Sequence, residues 1–238
     1  TASVTVTVNP NPTVTATGGT ICNGNTFIIT VSGANSYSWN NSLGSGSSKA
    51  ISPSTTTTYQ ITGTDNNGCT GTASATVIVN PNPVVSLTAN PSSICAGSST
   101  TISANGSSNY SWSNTLGIGL SKTVSPTTTT TYNVTGTDNN GCTGTASTTV
   151  TVNPLPNVGA VGATICNGAT ATITATGATT YEWESPLGAG QSKDVTPTST
   201  TTYSVTGTDV NGCTGTASTT VTVNALPNVG AVGATICN

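Results

Sequence analysis

Seven cysteines in a chain without histidine narrow the available chemistry at once. Thiolates hold zinc when they come in close pairs such as C-x-x-C, or beside imidazoles. Cys22, Cys69, Cys95, Cys142, Cys166, Cys213 and Cys237 have neither arrangement. Their spacing points instead to structural disulfides, formed in an oxidising, extracellular compartment. General acid–base catalysis needs titratable groups in partnership. The six acids here are scattered: Asp65, Asp138 and Asp209 each sit alone before an N-G turn, and Glu182, Glu184 and Asp194 share one stretch. A lone turn aspartate caps its own turn, whereas a calcium cage needs several oxygens. The expectation is therefore no enzyme, no cofactor and no metal.

Trp39, Trp112 and Trp183, with Tyr37, Tyr110 and Tyr181 two residues before them, admit two readings. They form either a platform on which sugars stack or the plugs of small cores. Their return at the same place between the same strands favours the plug, and Tyr59, Tyr132 and Tyr203 are assigned to the same cores.

The elements that position these residues recur. VNPNP at Val8 returns as VNPNP at Val79, VNPLP at Val152 and VNALP at Val223, a period of about 72 residues and the mark of a tandem array. The cysteines and tryptophans keep step with it. The interval from Cys22 to Trp39 is the same as from Cys95 to Trp112 and from Cys166 to Trp183. That from Trp39 to Cys69 is likewise repeated from Trp112 to Cys142 and from Trp183 to Cys213. The divisions expected are 1–9, the last strand of a preceding repeat; repeats at 10–80, 81–153 and 154–224; and 225–238, the first strand of a following one. The chain reads as a window on a longer array.

Charged residues make up 4% of the chain, with three lysines, no arginine and a net charge of −3, which leaves nothing to neutralise a phosphate backbone. Nucleic acid is excluded as a partner. No apolar run is long enough to span a bilayer, so no membrane contact is expected in this segment. Hydrophobic residues are 33%, yet Thr, Val and Ile abound, which favours strand over disorder.

Within the first repeat Phe27, Ile29 and Val31 alternate with Ile28 and Thr30, Tyr37 and Trp39 share a face, and Ala73, Ala75, Val77 and Val79 alternate with polar residues. Period two means one buried and one wet face. Asp65-Asn66-Asn67-Gly68 is a hairpin turn, and the prolines at 10, 12, 81, 83, 154 and 156 stiffen the linkers. About seven short strands in roughly 72 residues, with tryptophan on the third, match a small immunoglobulin-like sandwich. The fold class expected is all-β, tandem sandwiches stacked into a rod, with no helix.

The unit Y-x-W, then L-G-x-G, then S/T-P followed by a threonine run, Tyr and T-G-T-D-x-N-G-C-T-G-T-A, resembles the PKD-like and Ig-like repeats of giant Bacteroidota cell-surface proteins. It spans Tyr37, Trp39, Gly44, Gly46, Tyr59, Asp65 and Cys69 and their equivalents in the later repeats. The tryptophan loop (WNNSLGSG, WSNTLGIG, WESPLGAG) departs from the standard PKD form and matches the divergent bacterial branch. The resemblance extends to SprB-type gliding adhesins exported by the type IX system. It implies an extracellular, cell-surface location and an adhesive or structural role.

Two disulfide schemes stand open. Bonds within repeats (Cys22–Cys69, Cys95–Cys142, Cys166–Cys213) would each close roughly 47 residues, a stabilisation of about 4 kcal/mol in the chain-entropy model. Sandwich topology argues for bonds between repeats (Cys22–Cys142 and Cys95–Cys213), because the first cysteine precedes the second strand and the second follows the last hairpin. Cys69, Cys166 and Cys237 would then pair outside the window or with its partial repeats. The sequons at Asn40, Asn105, Asn109 and Asn133 and the many hydroxyls offer glycosylation sites where a transferase exists. The functions weighed are a structural and adhesive array, a self-assembling sheath or fibre, and carbohydrate-binding modules of a secreted enzyme. The partners expected are neighbouring repeats of the same chain, surface polysaccharide and other copies of the chain itself.

Overall fold

The computed structural model describes residues 1–236 and contains only strands and turns among them. The strands of the first repeat are β1 (Thr15–Ala16), β2 (Gly19–Cys22), β3 (Phe27–Ser32), β4 (Ser36–Trp39), β5 (Gly44–Ser45), β6 (Ser48–Ile51), β7 (Thr57–Thr64) and β8 (Thr70–Asn80). Three strands form one sheet in the order β1-β3-β6, and five form the other, β2-β8-β7-β4-β5. All pairings are antiparallel except β2 on β8, where Gly19 faces Val77 and Cys22 faces Asn80. A first strand divided between two sheets, with its second half parallel to the last strand, and a tryptophan on an inner strand of the larger sheet define an immunoglobulin-like sandwich. The third repeat has the same two sheets, with Thr164–Cys166 parallel to Thr214–Asn224. In the second, Ser93–Cys95 runs parallel to Thr143–Asn153.

Alternation along the strands sets the core. In β7 Tyr59, Ile61 and Gly63 point inward while Thr58 and Gln60 face solvent. Ile29, Val31 and Ile51 from one sheet pack against Trp39, Ile61, Ala75 and Val77 from the other. The third repeat repeats this with Ile173, Ala175, Trp183, Val205 and Val221. Outward threonines pair across strands: Thr58 with Thr76 at 2.8 Å, Thr131 with Thr149 at 2.9 Å and Thr202 with Thr220 at 3.1 Å. Such hydroxyl pairs stabilise a β surface without apolar area, which accounts for the abundance of threonine.

Tryptophan lies on the fourth strand, not the third. The difference arises before it, where the chain crosses from one sheet to the other between Ala16 and Gly19 and so makes two short strands instead of one. The segment 1–9, expected as a strand, has none in the structure, and Val4, Val6 and Val8 are exposed. In β8 the same kind of sequence is a strand because β7 and β2 flank it; no strand pairs with residues 1–9. Residues 225–236 likewise carry no strand.

By compactness the chain divides into two units: Thr1–Thr88 with Ile102–Lys122 and Tyr132–Thr148, and Ala89–Thr101 with Thr123–Thr131 and Thr149–Asn238. The division passes through the second repeat, whose hairpin end belongs to the first unit and whose β2-type strand belongs to the second.

Gly33 has φ +98°, and a Cβ there would fall on the carbonyl oxygen of Thr13. Gly106 and Gly177 stand in the same relation to Val84 and Asn157. Gly33→Ala combines left-handed strain with a backbone clash and is expected to cost about 2–3 kcal/mol. Urea denaturation of the variant beside the parent chain measures the loss.

Candidate functional site: the joint between repeats

Each hairpin between the last two strands is built around one aspartate. Asp138 Oδ1 accepts from the backbone N–H groups of Asn140 at 2.9 Å and Cys142 at 2.8 Å, and the Asp138 N–H donates to the Cys142 carbonyl at 2.9 Å. Gly141, at φ +80°, closes the turn. Asp65 and Asp209 make the same two side-chain bonds in their own turns. The carboxylate thus fixes the backbone of the cysteine that follows four residues later. Asp138→Ala removes two charge-assisted bonds and should cost about 1.5–3 kcal/mol, with Asp138→Asn losing less, as thermal melting would show.

The linker leans on this hairpin. A Cβ on Gly144 would meet the carbonyl oxygen of Pro83 and the Val85 side chain, as one on Gly71 would meet Pro12 and Val14, and one on Gly215 would meet Pro156 and Val158. Glycine at this hairpin position lets the proline linker lie directly against the strand.

Cysteine bonding completes the arrangement. Cys22 is bonded to Cys142 with Cα atoms 5.4 Å apart, and Cys95 to Cys213 at 5.5 Å. Each bond joins the end of a β2-type strand in one repeat to the aspartate hairpin of the next. Cys142 and Cys213 are fully buried. The within-repeat pairs Cys22–Cys69, Cys95–Cys142 and Cys166–Cys213 are not formed, and the register shows why. Cys22 lies level with Asn80 at one end of β8, while Cys69 precedes Thr70 at the other; the length of the strand separates them by about 36 Å, far beyond disulfide reach. Cys69 and Cys166 are free thiols. Cys237 lies outside the described residues.

The aromatic residues sit inside. Trp39, Trp112 and Trp183 are buried, and each indole N–H donates to a glycine carbonyl seven residues on: Gly46 at 2.7 Å, Gly119 at 2.6 Å and Gly190 at 3.0 Å. No indole face is offered to a sugar. Sequence reading missed the part played by Tyr37, Tyr110 and Tyr181. The Tyr37 hydroxyl accepts from the Ala34 N–H and donates to the Ala34 carbonyl, both at 2.8 Å, and Tyr110 and Tyr181 clasp Ser107 and Ala178 in the same way. A tyrosine three residues after a tight bend is the only signal for this clasp. Tyr59 and Tyr132 are buried, and burial raises the Tyr132 phenol above its ordinary value.

Tyr203 differs, being only partly buried at the rim of its core. Repeat three carries Glu184, Pro186 and Asp194 where repeat one has Asn40, Ser42 and Ala50. Asn40 Oδ1 accepts from the Gln60 N–H at 3.0 Å, and Glu184 makes no equivalent bond. The changed turn leaves an open cavity of about 470 Å³ bordered by Glu184, Pro186, Asp194 and Tyr203. Asp194 accepts from the Thr172 hydroxyl at 2.6 Å.

No protein-family model matches the sequence, and no curated protein matches it. Solved structures resemble it in fold. The N-terminal eight Ig domains of Down Syndrome Cell Adhesion Molecule are 13% identical, aligned over 91% of this chain and 37% of that one, with TM-score 0.44. The titin fragment I67–I69 is 12% identical over 92% of this chain and all of that one, TM-score 0.41. A Ca²⁺-stabilised adhesin with which an Antarctic bacterium binds ice is 15% identical over 94% and 76%, TM-score 0.39. At these levels none speaks to activity.

Proposed function

We propose that the chain is part of an extracellular structural and adhesive repeat array, the stalk of a large bacterial surface adhesin. The observation that carries this reading is the disulfide between successive repeats, a bond that serves mechanical continuity and contributes nothing to any one repeat's own closure. Disulfides persist in oxidising surroundings, which supports an extracellular place. The chemistry-bearing residues are spent on structure: aspartates on turns, tryptophans on cores and cysteines on joints. Neighbouring repeats are the first partners, with surface polysaccharide and other copies of the chain as further ones. Attachment or gliding is the role of the whole.

Tracking a fluorescent antibody fragment against the repeat on living source cells tests this. Label travelling along the cell surface is expected of a motor-driven gliding adhesin, and static surface label of an attachment stalk. Label confined to the medium would defeat the surface reading altogether.

A further inference from the structure

Every side-chain cation of the chain stands at one place in the fold. Lys49, Lys122 and Lys193 are the only lysines, and there is no arginine or histidine. Each is the second residue of a β6-type strand: Ser48–Ile51, Ser121–Val124 or Ser192–Val195. That strand is an edge of the smaller sheet in all three repeats, and among the described residues no strand pairs with its outer side. An open edge offers a row of unpaired backbone N–H and C=O groups on which another strand can form. The lysine lies on the less expected face. Alternation leaves Ser48 and Ala50 exposed and puts Lys49 on the side of buried Ile51, opposite Ile29, which is fully buried. Lys193 likewise stands opposite fully buried Ile173. Opposed residues of an antiparallel pair share a face, so the charge is carried by the core side of the edge. The stem follows the rim of the core. Lys122 Nζ and Lys193 Nζ would lie 3.9 Å and 3.6 Å from a Cβ on Gly119 and Gly190, the glycines whose carbonyls hold the Trp112 and Trp183 indoles. Lysine meets such a rim with its apolar stem on the core and its ammonium in water.

We propose that this lysine guards the edge: it keeps the smaller sheet from continuing, strand against strand, into the same sheet of a second copy, and removing its charge opens β6 as a self-association surface. Two β6 strands paired antiparallel about a two-fold axis turn their core-side faces the same way. The two lysines would then stand as like charges on one face, and the incoming strand would occupy the rim through which each ammonium reaches water. Inward-pointing charge is one of the devices that keep natural edges single. The opposite edge has another, since prolines at 12, 83 and 156 precede its strands β1, Ser86–Asn90 and Gly159–Val161. Every repeat carries the lysine at the same position, so the guard acts alike between neighbouring repeats and between chains. The proposal goes beyond the repeat-array reading and needs neither an adhesive target nor motility.

The test uses the full chain carrying Cys69→Ser, Cys166→Ser and Cys237→Ser, so that no thiol cross-links copies. In this background Lys49→Met, Lys122→Met and Lys193→Met together keep the unbranched stem and remove the charge. Sedimentation velocity over a concentration series should show the parent as a monomer and the methionine variant self-associating, its affinity raised about a hundredfold or more. Losing three positive charges takes the formal net charge from −3 to −6, which by itself would hold copies further apart. Hydrogen exchange should show the amides of the β6-type strands gaining protection as concentration rises. Lys49→Arg, Lys122→Arg and Lys193→Arg together keep the charge and should stay monomeric. Lys49→Gln, Lys122→Gln and Lys193→Gln, neutral but polar, should associate as well, and they carry the test where methionine disturbs the rim. Intact Cys22–Cys142 and Cys95–Cys213 peptides and an unchanged melting temperature confirm folding in each sample. Neutral variants that remain monomeric would overturn the proposal, as would association without added protection at β6, or an arginine variant that associates as readily as the neutral ones. Loss of label from cells in the tracking experiment would leave this result standing, so the two readings fail separately.

Discussion

Replacing Cys22 by Ser and Cys142 by Ala together is expected to lower the melting temperature by about 10–20 °C, because the bond spans a sequence separation of 120, for which the chain-entropy model gives about 5 kcal/mol. In a domain assembly of this size each kcal/mol moves Tm by about 2–4 °C. Both cysteines are changed so that no stray thiol is left, and alanine is used at the fully buried Cys142 because a serine hydroxyl there would lack a partner. Differential scanning calorimetry with and without reductant makes the comparison. The parent under full reduction should fall further, since it also loses Cys95–Cys213. Cys69→Ser, which removes no bond, should move Tm by about 2 °C at most. A double variant that melts with the parent would show that the joint adds no stability.

Trp183→Ala should unfold the third repeat selectively. The side chain is 1% exposed and lies at the centre of a core of few residues, between Ile173, Val195, Val205 and Val221. Truncation of such a residue costs about 3–5 kcal/mol, and the Gly190 carbonyl loses its indole donor as well. For a small sandwich that is most of the available stability. Amide hydrogen exchange should show loss of protection across Thr201–Thr208 and Thr214–Asn224 with the first repeat unchanged. Trp183→Phe, which keeps the ring volume in part, should lose less. Protection retained throughout the alanine variant would contradict a core role for this residue.

Much of this is legible in the residues. The return of the VNP motif, the DNNG hairpin and the inward alternation of Tyr59, Ile61, Ala75 and Val77 follow from turn chemistry and from the pleat of a strand. Strands as short as Thr15–Ala16 and Gly44–Ser45 hold too few residues for an alternation to show in the sequence. The choice between disulfide schemes hangs on whether the strand ending at Cys22 runs with or against β8. A parallel alignment puts that cysteine at the far end of the strand from its own repeat's hairpin. Composition carries no trace of strand direction. Analogy with Tyr59 and Tyr132 places Tyr203 in the core, and the structure has it partly buried against that core, beside a cavity that Glu184 and Pro186 also border.

The two disulfides overlap along the chain, since Cys95 lies inside the loop closed by Cys22 and Cys142. The shortest covalent route between Cys22 and Cys213 therefore crosses both bonds and the backbone between Cys142 and Cys95. With every strand torn open that stretch draws taut first, and the longer stretches from Cys22 to Cys95 and from Cys142 to Cys213 hang slack beside it. The span between those points would reach about 170 Å, where a single unbridged chain would run to roughly 670 Å.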